Sequence, residues 1–510
     1  MNKGRLLIIS GFLLLAACGK KEPVSQPSLP GIRAELKDIT AFSVSFEVQA
    51  VKTATLRYGV DEEMSESRET GSIGPVTLSL QLDRLTPLTD YTLYVQGIGP
   101  GGEQGNIVTL PFSTPRGPGQ LYSWEEKRNG PPAFADISLV TLGWHNYNPP
   151  AWTAERFASH VEYTGPDGKA RWLFDSFLCI DGWDPARNLS FSITNGRYSA
   201  VKESWEDLLE AWLGTGGALL QLDAAIENAS ARLGRPSSPR YVIMGIPDPI
   251  RYQLFSDKQS STAYWGSVNG KALDFSHTED QIAAYRWYMD LCRSRFNSMN
   301  FKHLELAGFY ILSEELPLDP AFFKATGQAY SSADTWNWEQ KNWEIILPQV
   351  SSYAHSCKEG LWWIPYHLAP GYKVWKQLGF DQAWMQPNYY WDHGQTSHPL
   401  SSTKEALRKY RMGIELEFEY SLVASVMADG RSGPDGNGNP VFYAADVPLL
   451  RGRVREYMQM YRDSGLYGEL PVAVYSGTDA WHQLATSEDP EDKAMFREIC
   501  TFIVDSPLKK

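Results

Sequence analysis

Eight alternations of strand and helix signals constrain the fold more than any other feature of the sequence. The strand-like segments are short and mostly apolar, as expected for parallel strands covered by helices. They lie at residues 137–143, 171–180, 241–246, 304–312, 361–366, 382–387, 412–419 and 472–475. Strands that alternate with amphipathic helices predict a parallel sheet. Eight such units favour a closed (β/α)8 barrel of the TIM type over an open, doubly wound sheet.

Polar residues that can cap helices predict where three of the helices begin. Ser204 with Asp207 has the spacing of a capping box, in which side chains satisfy free backbone N–H groups. Thr278 with Gln281 repeats this spacing, and Asp446 can cap the helix that follows it. Further helices are predicted at residues 152–161, 336–356, 404–410 and 491–504.

A smaller unit precedes the barrel. Residues 31–115 contain short strand-like segments separated by turn residues, the pattern of an all-β sandwich. Within them, residues 85–95 resemble the tyrosine corner of fibronectin type III domains, which implies Tyr91 as the corner residue. All 18 tryptophans lie at or after Trp124, and this shift in composition predicts a hinge near residues 116–119. We therefore expect a multidomain chain, with a fibronectin-III-like sandwich at 31–115 and the barrel at 120–510.

The first residues resemble an export signal. A positively charged start precedes an apolar run at 6–15, which is too short to span a bilayer and has the length of a signal-peptide core. The run ends in Leu-Ala-Ala-Cys, which resembles the lipobox of bacterial lipoproteins and implies cleavage before Cys18. Lipid chains on that cysteine would hold the protein on a membrane. We expect a signal peptide at 1–18, a flexible tether at 19–30 and an outer-membrane location.

Charge and motif content argue against several classes of function. The formal net charge is −13 at pH 7 without basic runs, which disfavours nucleic acid as a partner. Neither a G-x-G-x-x-G sequence nor a P-loop is present, so nothing indicates a nucleotide cofactor. The histidines lack the spacing of a zinc site, and the calcium-like run at 435–439 departs from the loop consensus at Pro440. We expect no cofactor and no resident metal.

The chemistry of a (β/α)8 barrel lies at the carboxyl ends of its strands and in the loops that follow them, a region called the mouth below. The binding residues predicted there are Trp144, His145, Asp175, Asp181, Trp183, Asp248, His367, Asn388, Tyr389, Tyr475 and Trp481, and the expected mouth also holds Trp265 and Trp391. Sugar rings pack their C–H faces on flat aromatic side chains, while polar side chains bond to their hydroxyls. This combination favours a carbohydrate ligand. For any single tryptophan, the alternative is packing in the core.

The seventh strand carries the strongest signal for a catalytic site. Side chains alternate between the two faces of a strand, so Glu415, Glu417 and Glu419 point to one face, into the barrel or its mouth. Three ionised carboxylates on one buried face repel one another unless protons, cations or substrate intervene. The alternative is a set of salt bridges with Arg or Lys from neighbouring strands.

Paired carboxyl groups can hydrolyse a glycosidic bond. One donates a proton to the leaving oxygen, and the other attacks the sugar or activates water. Acids at the ends of the fourth and seventh strands resemble the arrangement of the large clan of retaining glycosidases with (β/α)8 barrels. That resemblance implies Glu314 as general acid/base and Glu417 as nucleophile, with Glu315 and Glu419 as substitutes. The clan usually has Asn before the acid of the fourth strand, where this chain has Ser313.

Three segments resemble one family of bacterial lipoproteins. They are residues 171–178 (RWLFDSFL), 308–310 (GFY) and 413–418 (GIELEF). On these motifs, the chain is identified as a member of the Bacteroidota lipoproteins with the domain of unknown function numbered 4855, over roughly residues 125–505. The resemblance implies the barrel fold and a glycan-utilisation setting, and it supplies no mechanism.

The leading hypothesis is a glycoside hydrolase that acts on a complex polysaccharide or glycan. A rival hypothesis is a non-catalytic glycan-binding lipoprotein of the cell surface, which the anchor, the sandwich and the tryptophans suit equally well. A third is a degenerate barrel that serves only as a scaffold. A deep pocket with two facing carboxylates favours the enzyme, and a shallow aromatic platform favours the binding protein. In either case we expect a monomer with a glycan as its partner.

Overall fold

The computed structural model describes residues 29–39, 43–83, 85, 89–114, 134–144, 151–193, 196–236, 238–391, 400–434, 440–477 and 479–509. The chain divides into two compact units, Met1–Gly117 and Pro118–Lys510. The predicted signal peptide with Cys18, most of the tether, the hinge and His145 lie outside the described residues. Among the described helices, none combines the length and the apolarity needed to cross a membrane.

The smaller unit is an antiparallel sandwich of two sheets. One sheet contains, in spatial order, β1 (Gly31–Ile39), β2 (Val44–Val51) and β5 (Val76–Leu82). The other contains, in spatial order, β4 (Glu66–Glu69), β3 (Thr55–Gly59), β6 (Asp90–Ile98) and β7 (Gln104–Ser113). The predicted fibronectin-III-like sandwich is confirmed. The sequence of β4, Glu-Ser-Arg-Glu, does not predict a strand, because it contains no apolar residue and every side chain in it is exposed.

The core of the sandwich follows from alternation along its strands. In β2 every second side chain is buried, beginning with Val44 and Phe46, while those between them point outward. From the opposite sheet, Leu56 and Leu93 pack into the same apolar cluster. The predicted corner residue Tyr91 stacks on Phe112 with ring centroids 5.6 Å apart.

The larger unit is a closed barrel of eight parallel strands. In spatial order these are β8 (Asp136–Thr141), β9 (Ser176–Ile180), β10 (Arg240–Ile246), β11 (Leu304–Ile311), β12 (Gly360–Trp363), β13 (Gln382–Met385), β14 (Gly413–Glu417) and β15 (Val472–Tyr475). The ring closes because β15 pairs in parallel with β8. The predicted (β/α)8 barrel is therefore confirmed, and β11 and β14 are its fourth and seventh strands.

Helices follow the strands around the barrel. They are α1 (Ala154–Val161), α2 (Lys202–Leu213), α3 (Ala218–Leu233), α4 (Thr278–Ser298), α5 (Pro320–Thr326), α6 (Trp343–Ser356), α7 (Leu400–Tyr410), α8 (Ala424–Met427), α9 (Val447–Asp463), α10 (Ala480–Thr486) and α11 (Pro490–Val504). Single 3-10 turns lie at Ala333–Thr335, Trp338–Gln340, Tyr372–Val374, Tyr420–Leu422, Ala444–Asp446 and Pro507–Lys509. Short hairpins decorate the loops at Glu162–Thr164 with Ala170–Trp172, Trp183–Asp184 with Leu189–Ser190, Ser267–Val268 with Lys271–Ala272, and Gly433–Pro434 with Pro440–Phe442.

None of the three predicted capping side chains caps its helix. Ser204 lies inside α2, which begins two residues earlier, and its hydroxyl donates to Asp184 at 2.7 Å. Thr278 is the first residue of α4 and makes no capping bond. Asp446 precedes α9, but its carboxylate accepts from the backbone N–H of Tyr443 at 2.8 Å instead.

Apolar side chains fill the amino half of the barrel interior. Phe134, just before β8, lies centrally among Tyr241, Trp362 and Trp384, with ring centroids 6.1, 5.9 and 6.5 Å away. Tyr310 belongs to the same buried cluster, nearer the carboxyl end of β11. The lower interior is thus a packed core, and polar groups concentrate at the mouth.

A bulge in β11 sets the direction of the side chains that approach the mouth. Its pairing with β10 slips between Leu306 and Gly308, so Ala307 is the extra residue. Gly308 then adopts φ +149°, and a Cβ at this position would overlap the backbone of Gly360 in β12. After the bulge, Tyr310 faces the interior. The glycine is required because two strands approach more closely here than a side chain permits.

We expect Gly308→Ala to lower the free energy of unfolding by roughly 2–4 kcal/mol, because the new methyl group must displace the backbone of β12. Gly452→Ala is the matched control, since Gly452 lies in α9 with open space around the added Cβ. That change should raise stability by up to about 1 kcal/mol through helix propensity. Denaturant unfolding followed by tryptophan fluorescence reports on the larger unit, which holds all 18 tryptophans. Equal stability of the two variants would contradict this account of the bulge.

Candidate active site

The acids of β14 face the inside of the barrel. Ile414, Leu416 and Phe418 pack in the outer core between strands and helices. Alternation therefore turns Glu415 and Glu417 inward, where each retains only 2% of its accessible surface. Two neighbouring carboxyl groups on the inner face of one strand are costly to bury as anions, so their surroundings decide their charge.

Glu417 is surrounded by neutral hydrogen-bond donors. The hydroxyl of Tyr457 donates to its Oε1 at 2.8 Å, and the indole Nε1 of Trp391 donates to its Oε2 at 3.3 Å. A backbone N–H of Asn388 also stabilises the ionised form. Burial outweighs these donors and, together with the negative charge of Glu314, raises the pKa of Glu417 to about 7. Glu417 is thus poised to change its charge near neutral pH.

Glu314 lies after the end of β11 and reaches solvent at the mouth. The side-chain amide of Gln386, after β13, donates to its Oε1 at 3.1 Å. Surrounding barrel atoms partly desolvate this carboxyl group, and this desolvation raises its pKa. The amide of Gln386 lowers that pKa and the charge of Glu315 raises it, both by smaller amounts than the desolvation.

The carboxyl groups of β11 and β14 share one electrostatic environment. The charge of Glu314 raises the pKa of both Glu415 and Glu417, which requires the three groups to lie near one another. Burial holds the pKa of Glu415 well above its usual range, and its Oε1 has no hydrogen-bond partner within the described chain. Among the described residues, no Lys or Arg pairs with Glu314, Glu415 or Glu417, so these residues do not supply the salt-bridge alternative.

Glu315 differs sharply from its neighbour Glu314. Its Oε1 lies 3.4 Å from the Nζ of Lys341, and its Oε2 accepts from the hydroxyl of Tyr366 at 2.8 Å. Lys341 is almost wholly buried, with 4% of its surface exposed. A buried ammonium needs a partner, and the carboxyl group of Glu315 is that partner.

Glu419 occupies the outer edge of the same strand end. It is half-buried, and Tyr475 at the end of β15 donates to its Oε1 at 3.4 Å. Burial raises its pKa to about 7, while the backbone N–H of Tyr420 and the Tyr475 hydroxyl lower it. The carboxylate lies against Gly477, where φ is +55° and a Cβ would overlap it.

Two buried aspartates hold the strand ends in place. Asp248, after β10, accepts from the hydroxyl of Ser313 at 2.6 Å and from Tyr285 at 3.1 Å. The carbonyl of Ser313 accepts from the indole of Trp363 at 2.7 Å. The residue immediately before Glu314 is thereby bonded on both sides. Ser313, at the position where the retaining glycosidases usually have asparagine, fixes the backbone before Glu314 through these two hydrogen bonds.

Asp181, after β9, holds the end of the neighbouring strand β8 in the same way. Its carboxylate accepts from the hydroxyl of Thr141 at 2.7 Å and from the backbone N–H groups of Leu142 and Trp144 at 3.2 Å each. Burial raises the pKa of Asp181 to about 7, as it does for Asp248, and the hydrogen bonds to each carboxylate lower it. These aspartates organise loops at the mouth, and their oxygens are already engaged.

The remaining predicted binding residues have diverse surroundings. Trp144 stacks on Phe191 with centroids 6.2 Å apart, and Trp183 lies under the guanidinium of Arg197 at 3.8 Å. Both indoles keep partial exposure. His367 is 7% exposed and contacts the hydroxyl of Thr403 in α7 at 3.0 Å.

The segment after β13 serves Glu417 and also reaches outward. Asn388 adopts φ +55°, the conformation in which its backbone N–H reaches Glu417. Tyr389 turns toward α9 instead, where its hydroxyl donates to Glu456 at 2.5 Å. Its phenol is therefore already bound on the helical side of the barrel.

Two predicted binding residues lie away from the mouth. The predicted strand at 171–180 is in fact a hairpin strand, Ala170–Trp172, followed by β9, which begins at Ser176. Asp175 therefore precedes the strand and lies at the amino end of the barrel. There its Oδ1 is 3.6 Å from Arg240 and 3.4 Å from Lys509, whose Nζ also pairs with Asp136 at 2.8 Å.

Trp481 is the second correction. It is 1% exposed in the outer core, with its ring 5.1 Å from Phe174 and its Nε1 bonded to the carbonyl of Ser159 at 2.8 Å. Its position just after the eighth strand predicted the mouth, but α10 begins at Ala480 and buries the ring. Trp265 is likewise buried, against Trp205 at 5.1 Å.

Two residues that contact Glu314 or Glu417 were not predicted. Gln386 ends the sixth strand segment, a position that the barrel rule points to, yet an amide there gave no acid–base signal. Tyr457 lies in the middle of α9, and no strand-end rule can find it. Its hydroxyl also accepts from the backbone N–H of Tyr390 at 2.5 Å, so it ties the loop after β13 to Glu417.

The fold and site define a (β/α)8 barrel protein with an acidic mouth, in which the fourth and seventh strands supply interacting carboxyl groups. Its sequence matches the family described as Domain of unknown function (DUF4855) over residues 136–431. The chain belongs to that family, as its motifs predicted. All three motif segments lie within the matched residues.

Several solved structures share distant similarity with the chain. The Bacteroides ovatus GH5 xyloglucanase in complex with a XXXG heptasaccharide aligns at TM-score 0.33 and 9% identity, over 92% of this chain and 100% of that one. A putative β-galactosidase from Bacteroides fragilis aligns at 0.31 and 10%, over 88% and 54%. Bacteroides uniformis β-glucuronidase 2 aligns at 0.31 and 8%, over 88% and 45%. No curated protein matches the sequence. Similarities this distant assign no activity to the chain.

We expect Tyr457→Phe to raise the pKa of Glu417 above about 7, because the lost hydrogen bond favours the ionised carboxylate. Carbon-13 NMR of the glutamate carboxyl groups, assigned with Glu417→Gln, measures the titration. Tyr461→Phe is the matched control, since this phenol lies one turn later in α9 and donates to the carbonyl of Leu470 at 3.0 Å. A downward shift in Tyr457→Phe, or equal shifts in both variants, contradicts the assignment.

Proposed function

We propose that the protein is a glycoside hydrolase that acts on a complex polysaccharide or glycan, with Glu314 as general acid/base and Glu417 as nucleophile. The observation that carries the proposal is the interaction of two carboxyl groups with raised pKa values, from the fourth and seventh strands, that form no ion pair in the described chain. A structural ion pair would neutralise such groups permanently. Paired carboxyl groups that can exchange protons are what glycoside hydrolysis requires.

Glu314 has the properties of the acid. Its raised pKa keeps the carboxyl group protonated at higher pH than usual, and its exposure lets a leaving oxygen approach. Proton transfer to that oxygen breaks the glycosidic bond and leaves Glu314 as a carboxylate. The same carboxylate then takes a proton from the water that releases the sugar, which restores the acid.

Glu417 has the properties of the nucleophile. Donors from Tyr457, Trp391 and the backbone of Asn388 can stabilise the carboxylate before reaction. They also hold the carboxyl group in one orientation, which lowers the entropic cost of attack on the anomeric carbon. The bond from Glu417 to that carbon forms as the protonated leaving group departs, and water later breaks it.

The substitute acids fit these roles less well. Both carboxyl oxygens of Glu315 are already bound, one to Lys341 and the other to Tyr366. Glu419, bonded to Tyr475, is suited to accept from a sugar hydroxyl at the edge of the mouth. We assign Trp144, Trp183, Asn388 and Tyr475 to binding at the mouth, and Asp181, Asp248 and His367 to holding its loops.

We expect Glu314→Gln and Glu417→Gln each to reduce glycan hydrolysis roughly 100-fold or more, because each removes one half of the proton and bond exchange. Glu415→Gln is the matched control on the same inner face. Burial raises the pKa of Glu415 well above its usual range, which favours the neutral form, and an amide resembles that form in shape. Release of reducing sugar from a panel of plant, host and microbial glycans provides the measurement.

Full activity of both Glu314→Gln and Glu417→Gln would refute the catalytic assignment. Tight glycan binding by the wild-type protein without any turnover would favour the non-catalytic binding protein instead. Loss of activity in Glu415→Gln to the same extent as in the other two variants would show a general sensitivity of the barrel to these substitutions.

We also propose that the mature protein is a membrane-anchored lipoprotein that begins at Cys18, on the support of its Leu-Ala-Ala-Cys sequence. We expect Cys18→Ala to abolish incorporation of labelled palmitate and to move the protein out of the membrane fraction, because the acyl chains are the anchor. Cys357→Ala is the control, since this partly exposed thiol belongs to the barrel unit. Unchanged membrane association of Cys18→Ala would disprove the anchor.

A further inference from the structure

An exposed tryptophan lies in the connection that follows the fourth strand. Trp336, between α5 and α6 in the connection from β11 to β12, keeps 37% of its surface exposed, more than any other described tryptophan. A large flat ring left in water on a loop of the mouth has no role in the core. Its position on the loop of the fourth strand connects it with Glu314 rather than with Glu417.

One buried cation links this ring to the end of the fourth strand. The Nζ of Lys341 lies 3.8 Å from the ring centroid of Trp336 and 3.4 Å from Oε1 of Glu315. An ammonium group over an indole face is attracted by the ring electrons. Because Lys341 is buried and paired, it fixes one face of the indole in place beside the residue that follows Glu314. The exposed part of the ring is then available to a ligand.

The chemistry of Glu314 defines which part of a substrate would meet Trp336. A general acid in glycoside hydrolysis lies at the oxygen of the leaving group. A ring held on the acid's own loop therefore flanks the leaving group, and an indole face matches the C–H face of a sugar. A substrate with a small alcohol as its leaving group would leave this ring unused.

The charge of the mouth restricts the sugar further. Glu314, Glu315, Glu417 and Glu419 all lie at the ends of β11 and β14. In the described chain, Lys341 is the one cation that pairs with any of these four acids, and it is buried against Glu315. A carboxylated sugar would bring another negative charge into this cluster, with no exposed cation among the described contacts of these acids to meet it. A neutral glycan carries no such penalty.

On this basis, and resting on the proposed function, we propose that Trp336 forms the subsite for the leaving-group sugar and that the substrate is a neutral oligosaccharide or polysaccharide. The indole stacks on the sugar ring that departs with the proton from Glu314. Trp336 is thus a specificity-determining residue for glycan chains over simple glycosides.

The test compares two substrates of the same sugar. A neutral oligosaccharide fills the leaving-group subsite, whereas the corresponding glycosyl fluoride leaves it empty. We expect Trp336→Ala to lower the ratio of kcat/KM for the oligosaccharide to that for the fluoride by about tenfold, the effect of losing one aromatic contact with the sugar. Trp336→Phe keeps a flat ring and should recover most of the ratio.

Tyr330→Ala is the matched control within the same loop. Tyr330 has similar exposure, but its ring stacks on Phe323 at 5.5 Å and makes no described contact with Glu315 or Lys341. Its ratio should equal that of the wild type. An unchanged ratio in Trp336→Ala, or the same loss in both variants, overturns the subsite. Cleavage of oligosaccharides of uronic acids as fast as neutral ones overturns the charge restriction.

The variants of the acids separate this inference from the proposed function. If Glu417→Gln loses activity on both substrates while Trp336→Ala keeps the wild-type ratio of kcat/KM values, the hydrolase is supported and the subsite is overturned. If the wild-type protein cleaves nothing, calorimetric titration with the same neutral oligosaccharides decides the matter. Weaker oligosaccharide binding by Trp336→Ala than by Tyr330→Ala then supports the sugar subsite at Trp336 without the hydrolase. Absence of binding to the wild-type protein overturns both the subsite and the hydrolase.

Discussion

The central constraint on this barrel is the cost of burying carboxyl groups on the inner face of its seventh strand. Glu415 and Glu417 cannot both be anions within a few residues of each other in a protein interior without a cation, and the described chain gives them none. Protonation and neutral hydrogen-bond donors stabilise these carboxyl groups in place of a cation. Burial favours the neutral form of Glu415, while hydrogen bonds to Glu417 stabilise the anion of that residue. The protein accepts an unfavourable arrangement at the point where chemistry is expected, as functional sites commonly do.

The surrounding architecture serves to hold these acids apart from the bulk of the core. Aromatic packing around Phe134 closes the lower interior, so the polar layer is confined to the mouth. Asp248 bonds to Ser313 and fixes the backbone before Glu314, and Tyr457 connects α9 to Glu417. Strands and helices far apart in the sequence thus converge on one pair of carboxyl groups. Rigid support of this kind is what makes a site reproducible in geometry.

The sequence was most informative where side-chain periodicity repeats. Alternation along 414–419 located the inward acids, and eight strand–helix units predicted the closed ring. It failed where one apolar run contained two strands, which placed Asp175 at the wrong end. It also failed where a ring beside a strand end turned into the outer core, as with Trp481. The contact between Tyr457 and Glu417 depends on how α9 packs over β14, and that packing leaves no local signature.

The pairing of Lys509 with Asp136 and Asp175 has a consequence for how the larger unit assembles. Lys509 lies 334 positions after Asp175, and the ammonium joins the approach to the first two strands to the last turn of the unit. Burial disfavours the charge on Asp136, and the ammonium offsets that cost. Contacts between residues so far apart in the sequence raise the contact order of the unit, which slows folding because long loops must close before these contacts form.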